Sequence, residues 1–417
     1  MNERVILIIP PSPWLISDTD LPMLGILYIA TYLKNHNIDV TVCDLSGLKE
    51  DQWKIPIGEY YGITGTSPQF IYMKRIIEIL KERQPDCTVI VGGAHASCYP
   101  EHIEQNTRAD IIVRGRGEYF MRTFFDTYFE YTKIVNMIDT KSCRDSSNIF
   151  PDYDQIDFYK YSKSQTFKYL LGDVREATVM TARGCPYNCS FCAQACIWGG
   201  RVVYRDVDNV IEEIEWLKSK YGVKLIYFID DTFIIDKNRV IEICAHMRRL
   251  GMKWHCLSRV DSVDRDILNI MRYSGCLQVV YGFESGSNYI LEKASKKTTI
   301  EQAYEAIKLT KEAGMRIRGQ MIVGLPFETD KTVEETAEFI RRAQEVDAIG
   351  LHMFYPFPGC DVWNNPEKYN YYIDKNTDFS EYHTIGRPCD PLTKNAQKQG
   401  WYDYLKSVIG ERSIEAK

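Results

Sequence analysis

No stretch of the sequence approaches the ~20 consecutive apolar residues that a membrane-spanning helix requires. A secretory signal is missing too. Met1-Asn-Glu-Arg leads straight into Val5-Ile-Leu-Ile-Ile-Pro10, which is too short for a signal core and has no small-residue cleavage site after it. There is no basic surplus: 51 Lys and Arg stand against 57 Asp and Glu, a formal net charge of −6. Nucleic acid is therefore not the expected partner. Low-complexity tracts are absent, and 45% hydrophobic with 26% charged residues is an ordinary composition for a packed core. These absences predict a cytoplasmic chain without membrane or nucleic-acid partner, and 417 residues predict two domains or three.

Cysteine is the residue in excess, with thirteen in the chain. In a reducing compartment an odd number reads as buried thiols plus a metal or catalytic cluster, not a disulfide framework. Nine are scattered (Cys43, Cys87, Cys98, Cys143, Cys244, Cys256, Cys276, Cys360, Cys389), whereas Cys185, Cys189, Cys192 and Cys196 fall within twelve residues. Only that group demands a chemical explanation.

The first ~140 residues alternate short apolar strands with amphipathic helices. The pattern predicts strands at Val5–Ile9, Ile38–Cys43, Tyr60–Thr64, Thr88–Val91 and Asp110–Val113, with helices near Leu24–Lys34, Pro68–Glu82, Pro100–Gln105 and Tyr119–Tyr131. Continuously apolar strands separated by helices imply a doubly wound parallel sheet, which binds ligands at the carboxyl ends of its strands. From Ile138 to Asp173 the period lapses into a polar, Tyr- and Phe-rich linker expected to pack through its aromatics. Strand–helix alternation then restarts six times, with strands near 177–181, 225–230, 253–258, 277–282, 316–323 and 347–353, which suggests a (β/α) barrel, open or closed.

Helix signals support this register. Val207, Val210, Ile211, Ile214 and Leu217 share one face ended by Gly222, Thr298-x-x-Glu301 and Thr332-x-x-Glu335 read as capping boxes, and Gly251, Gly275 and Gly314 read as helix stops. The last ~55 residues show no repeat and are expected to close one barrel end.

The first barrel strand ends in Met180-Thr-Ala-Arg-Gly-Cys185-Pro-Tyr-Asn-Cys189-Ser-Phe-Cys192. Three thiolates spaced C-x3-C-x2-C can ligate three irons of a [4Fe–4S] cube and leave one iron open. Zinc, with Cys196 as fourth ligand, is the alternative that spacing alone leaves standing. The loop lies where a barrel places its chemistry.

With Phe191 inside it, this loop on strand one of a six-unit repeat resembles the radical S-adenosylmethionine (SAM) superfamily. The resemblance implies that the open iron chelates SAM and that an electron from the cluster cleaves it to a 5′-deoxyadenosyl radical. Further segments extend the likeness. Phe228-Ile-Asp230-Asp231 ends strand two, where the family holds the SAM ammonium, and Tyr281-Gly-Phe-Glu284-Ser285-Gly286 ends strand four, near ribose. Gly319-Gln-Met-Ile-Val-Gly324-Leu-Pro-Phe-Glu328 resembles the segment near adenine and methionine, and Arg259 or Arg318 pairs the SAM carboxylate.

The N-terminal segments Pro22-Met-Leu-Gly25, Gly62-Ile-Thr64-Gly65-Thr66-Ser67, Val91-Gly92-Gly93-Ala-His95 and Arg114-Gly115-Arg-Gly117-Glu118 are similar in order and spacing to the B12-binding domain that precedes such a barrel. The resemblance implies an α/β chain: an N-terminal Rossmann-like, cobalamin-binding doubly wound sheet (1–137), a linker (138–172), a partial (β/α)6 radical SAM barrel (173–362) and a short extension (363–417). Thr66, Ser67, Gly92, Gly93, Gly115 and Glu118 become candidate cobalamin contacts. The Asp-x-His-x-x-Gly motif that supplies a cobalt ligand in cobalamin mutases is absent, so the lower face of a bound cobalamin is expected to be open or covered by a nonligating side chain.

The implied activity is methyl transfer to an unactivated carbon, or phosphorus, of a small-molecule or peptide substrate, with electrons from a flavodoxin or ferredoxin. The implied cycle uses one SAM to methylate cobalamin and a second as the radical source. A non-methylating rearrangement, cyclisation or oxidation on the same architecture, with or without cobalamin, is the alternative. A metal or B12 sensor is the rival of another class, but no output domain is visible. Simpler roles stand beside the functional ones: Cys196 as an ordinary thiol, Asp231 as a helix cap, Glu284 as a loop pin, His95 as a loop residue, His255 and Cys256 as barrel interior, Cys360 as inert.

Overall fold

The computed structural model describes residues 4–414 apart from 16–17, 20, 127–132, 138–143, 146–148, 163–166, 168–170, 381 and 383–394. Cys143, Cys389 and the end of the helix expected to reach Tyr131 lie outside the described residues.

The N-terminal half is a six-stranded parallel sheet in the order β2-β1-β3-β4-β5-β6. Its strands are β1 (Arg4–Ile9), β2 (Asp39–Asp44), β3 (Tyr60–Thr64), β4 (Thr88–Gly92), β5 (Ile111–Gly115) and β6 (Ile134–Met137). The side-chain alternation of β1 shows why helices cover both faces. Val5, Leu7 and Ile9 join the core containing α1 (Leu24–Asn35), whereas Ile6 and Ile8 join a second core with Met73, Ile76, Ile77 and Leu80 of α2 (Phe70–Arg83). Each of these buried aliphatic side chains contributes about 1.5–3 kcal/mol. Three shorter helices follow: α3 (Ala94–Cys98), α4 (Pro100–Asn106) and α5 (Gly117–Asp126). The edge strand β6 has no counterpart in the sequence pattern, being four residues long and half-buried.

The linker packs through aromatics, as expected: Tyr153 is fully buried with its hydroxyl on the Thr178 carbonyl at 2.8 Å, and Phe158, in α6 (Phe158–Tyr161), stacks on Tyr221 at 4.2 Å. A three-stranded patch unseen in the sequence, β7 (Arg144–Asp145), β9 (Ala182–Arg183) and β10 (Val203–Arg205), also lies outside the main sheets.

The second half is a parallel sheet of β8 (Glu176–Val179), β11 (Leu225–Phe228), β12 (Lys253–Ser258), β13 (Cys276–Glu284), β14 (Arg316–Val323) and β15 (Ala348–Met353), paired in that order. Among the described residues β15 and β8 are not paired, so the barrel is open. Between the strands run α7 (Gln194–Trp198), α8 (Val207–Tyr221), α9 (Lys237–Leu250), α10 (Arg265–Tyr273), α11 (Asn288–Lys293), α12 (Ile300–Glu312) and α13 (Asp330–Arg342). Gly222 and Gly251 end α8 and α9 in the left-handed conformation, which costs glycine nothing.

Several local expectations need correction. The capping boxes are Thr299 with Gln302 and Thr329 with Thr332, displaced from Thr298 and Thr332 because the residues with extended backbone at these starts are Thr299 and Thr329. Asp231 does not cap α9; Asp236 does, accepting the Arg239 N–H at 3.2 Å. Cys256 belongs to the core under the helices, with Cys244 and Cys276, because it alternates with the inward-facing His255. After α14 (Asp361–Asn364), the C-terminal helix α15 (Asn395–Ile409) packs on α13, β14 and β15, and Ser413 bridges to Ile349, covering the β15 edge.

Candidate active site

The three-cysteine loop hangs from the end of the first barrel strand and is fastened at several points. Gly184, just before Cys185, has φ +89°, and a Cβ there would stand 2.1 Å from the Arg201 carbonyl oxygen, so only glycine fits. Asp231 clamps both flanks, accepting the Gly184 N–H at 3.1 Å and the Gln194 side-chain N–H at 2.7 Å. The Arg259 guanidinium lies 3.7 Å over the Tyr187 ring between the first two cysteines. Ser190 donates to the Ala294 carbonyl at 2.9 Å and accepts from Val362 at 3.1 Å.

Burial raises the Cys189 thiol, opposed by Lys296 and Arg259, and pushes Cys192 to about 12. Buried thiols held neutral by desolvation become ligands when a cation takes the place of their protons. Among the described residues no three His, Cys, Asp or Glu side chains converge on one point. Three thiols on one short loop, near enough to influence one another, fit a cube whose irons each take one thiolate. Cys185, Cys189 and Cys192 would hold the cluster.

The other strand ends surround this loop. Glu284 ends β13 at φ +64°, beside a register shift, and its carboxylate pairs with Lys296 at 2.6 Å, both largely buried. A Cβ on Gly282 would stand 2.4 Å from the Glu284 oxygen and 2.9 Å from the Lys296 nitrogen, so the glycine makes room for the pair. Phe191 lies 5.9 Å below the same ammonium. Arg318 lies on the inward face of β14, near enough to Tyr227 to oppose the upward push of burial on that phenol, which stands at about 12. Gly324, φ +90°, donates to Glu328 at 2.5 Å, and burial raises that carboxyl to about 7.

Three candidates are engaged elsewhere. Asp230 is buried, with both oxygens on Thr181, accepting its N–H at 2.6 Å and its hydroxyl at 2.5 Å. Arg259 forks onto Asp261 at 2.8 and 2.9 Å and donates to the Lys296 carbonyl at 2.7 Å. Ser285 turns to α13, 3.3 Å from the Thr336 hydroxyl. His255 pairs with Glu176 and stacks on Tyr227 at 4.1 Å. Lys296, Tyr187 and the clamping role of Asp231 escaped the sequence reading, since no motif marks them.

A cavity of about 350 Å³ opens at the carboxyl ends of β3, β4 and β5, and both halves of the chain line it. Gly92, Gly93, Gly115 and Glu118 are on one wall; Met180, Arg183 and Trp198 of the barrel are on the other. Nothing stands within 4 Å of a Cβ built on Gly92, whereas one on Gly93, φ +93°, would meet the Gly65 backbone nitrogen at 2.7 Å. Backbone without side chains thus forms a cradle that a corrin or its tail can approach closely. Thr66 and Ser67 are not part of this wall: Thr66 closes a turn on Gln69, and Ser67 bonds His95 at 2.9 Å. His95 is buried, with its second nitrogen 3.2 Å from His102, and among the described residues no histidine lines the cavity.

A partial barrel with a three-thiol loop, joined through a glycine-lined cavity to a Rossmann-like sheet, defines a class of iron–sulfur enzyme with two cofactor sites. Residues 179–340 match the Radical SAM superfamily and residues 17–125 the B12 binding domain. The chain is 30% identical to an uncharacterized methyltransferase of Pyrococcus horikoshii over 94% of its own length and 88% of the relative's. It is 31% identical to the anaerobic magnesium-protoporphyrin IX monomethyl ester cyclase of Rubrivivax gelatinosus, over 84% and 69%. Its fold is that of the radical SAM methyltransferase TsrM from Kitasatospora setae, solved with cobalamin and a [4Fe–4S] cluster, with a TM-score of 0.66 at 17% identity, over 87% and 77% of the two chains. The chain belongs to the B12-binding radical SAM family, whose cofactors are a [4Fe–4S] cluster, SAM and cobalamin.

Proposed function

We propose that this chain is a cobalamin-dependent radical SAM methyltransferase acting on an unactivated carbon, or phosphorus, of a small molecule. One observation carries the reading: Arg183, two residues before Cys185, lines the same cavity as Glu118 and pairs with it, so the cobalamin cradle and the base of the cluster loop face each other across one cavity. When bound, the cluster supplies an open iron and an electron for SAM, and cobalamin supplies a methyl carrier.

The chain's own contribution is placement. Cys185, Cys189 and Cys192 hold the cluster, while Asp231, Arg259 and Tyr187 fix their loop. Phe191, Glu284 with Lys296, Arg318 and Gly324 surround the SAM site; Asp230 and Ser285 brace the strand ends beside it. Gly92, Gly93, Gly115 and Glu118 cradle cobalamin. A flavodoxin or ferredoxin supplies electrons. The eleven described cysteines are all free, which suits a reducing cytoplasm, and among the described residues no helix is long and apolar enough to cross a membrane.

Anaerobically reconstituted protein given reductant, cobalamin and methyl-labelled SAM tests this. A methyltransferase yields both S-adenosylhomocysteine and 5′-deoxyadenosine and passes the label to its product. The likeness to the cyclase supports a second reading, radical chemistry without methylation, which yields 5′-deoxyadenosine alone.

A further inference from the structure

Two thiols with no part in the proposed reaction meet where the two domains join. Cys98 is the last residue of α3, directly after Ser97, which lines the cobalamin cavity; Cys196 lies in α7, four residues beyond Cys192. The helices touch, and the Cys196 Sγ stands 3.8 Å from the Ser97 carbonyl oxygen. Gly359 reports the spacing: a Cβ there would stand 2.7 Å from the Cys98 Sγ, 2.9 Å from the Cys98 Cβ and 2.8 Å from the Cys196 Cβ. Two β-carbons so close to one point suit the ~3.5–4.5 Å separation of a disulfide. Both residues are part-exposed, whereas neighbouring Cys360 is fully buried and accepts the Trp363 N–H at 3.3 Å.

We propose that Cys98 and Cys196 are a redox-active dithiol that closes into a disulfide across the two domains. The bond would tie the wall of the cobalamin cavity to the helix that follows the cluster loop. The environment assigns the order of events. The Cys98 thiol donates to Cys196, which lowers the Cys196 thiol and, with burial, raises that of Cys98; the Arg114 guanidinium beside the pair favours the thiolate. Cys196 thiolate attacks a low-molecular-weight disulfide, breaking its S–S bond and releasing one thiolate. Cys98 then loses its proton to solvent and displaces the second thiolate from the mixed disulfide. Two electrons pass from the protein to the small disulfide, which becomes two thiols. Among the described residues no third ligand completes a cation site around the pair.

The test is anaerobic exposure of the cluster-loaded protein to glutathione disulfide, a quench with N-ethylmaleimide and peptide mapping without reductant. The expected result is a linked Cys98–Cys196 peptide and two fewer alkylatable thiols, restored by dithiothreitol. Cys98→Ser and, independently, Cys98→Ala should each leave Cys196 as its glutathione adduct. Separate alkylation or separate glutathione adducts at both positions of the unsubstituted protein overturn the proposal, as does a link to Cys360 or Cys192 instead. Oxidation should also raise the thermal midpoint of the unsubstituted protein and not of Cys98→Ser; an unchanged midpoint overturns the cross-domain tether.

Discussion

Arg183 and Glu118 meet across the domain boundary at 2.6 Å, with side chains only 4% and 10% exposed. Arg183 also lies over Tyr28 of α1, at 4.6 Å, and Tyr28 accepts a hydrogen bond of 2.8 Å from Arg205, itself paired with fully buried Glu213 at 2.6 Å. One tyrosine of the first domain thus sits between two arginines of the second. Attraction between buried charges holds only while both partners remain. Glu118→Ala should therefore destabilise the protein by about 3–5 kcal/mol, the cost of stranding a buried guanidinium. Urea unfolding measures this. Cobalamin retention on a desalting column should fall with it, since both residues line the cavity.

The clamp by Asp231 gives a sharper test of the cluster loop. Its two hydrogen bonds hold the residues on either side of the cysteines, and each contributes roughly 0.5–1.5 kcal/mol, more when the acceptor is charged. Asp231→Ala should lower iron and sulfide per chain after reconstitution and leave global stability reduced by only about 1–3 kcal/mol. Unchanged iron loading would show that Arg259 and Tyr187 suffice to fix the loop.

Glu328 predicts a pH dependence with a definite sign. Its folded carboxyl stands at about 7, above the usual carboxylate range, because burial outweighs the Gly324 and Leu325 N–H bonds. Between about pH 4.5 and about 7 the folded chain keeps a proton that the unfolded chain has lost, so this contribution is complete below that window and disappears as pH rises through it. Stability in urea should decline across the window, and Glu328→Gln should remove about 3 kcal/mol of that decline. An identical slope in the variant would assign the dependence to other groups.

What the sequence made legible follows from the range of the interactions. Strands Tyr60–Thr64, Lys253–Ser258 and Arg316–Val323 were readable because long apolar or alternating runs write the period of a buried sheet into consecutive residues. Ile134–Met137 and the two- and three-residue strands beside the cluster loop were not, being too short to carry a period. The cysteine loop is local and announces itself by spacing. Asp231 and Lys296 are not local in that sense. What they do depends on Gly184, forty-seven residues away in the chain, and on a bulge at Glu284 that no pattern foretells.

The Glu284–Lys296 pair allows the last of these long-range partnerships to be measured. Lys296 neutralises a carboxylate held at positive φ and stands near Cys189, whose thiol it lowers. Lys296→Met leaves Glu284 buried without that cation and should cost about 3–5 kcal/mol; Glu284→Gln alone should cost less, because the long lysine side chain can reach solvent. If the pair acts as a unit, the double variant will be more stable than the sum of the single losses predicts, by roughly 0.5–3 kcal/mol in a double-mutant cycle. SAM binding separates structure from function. Should the double variant regain stability but still fail to bind SAM in equilibrium dialysis, the pair serves the SAM site; recovery of both would reduce it to a brace for the end of β13.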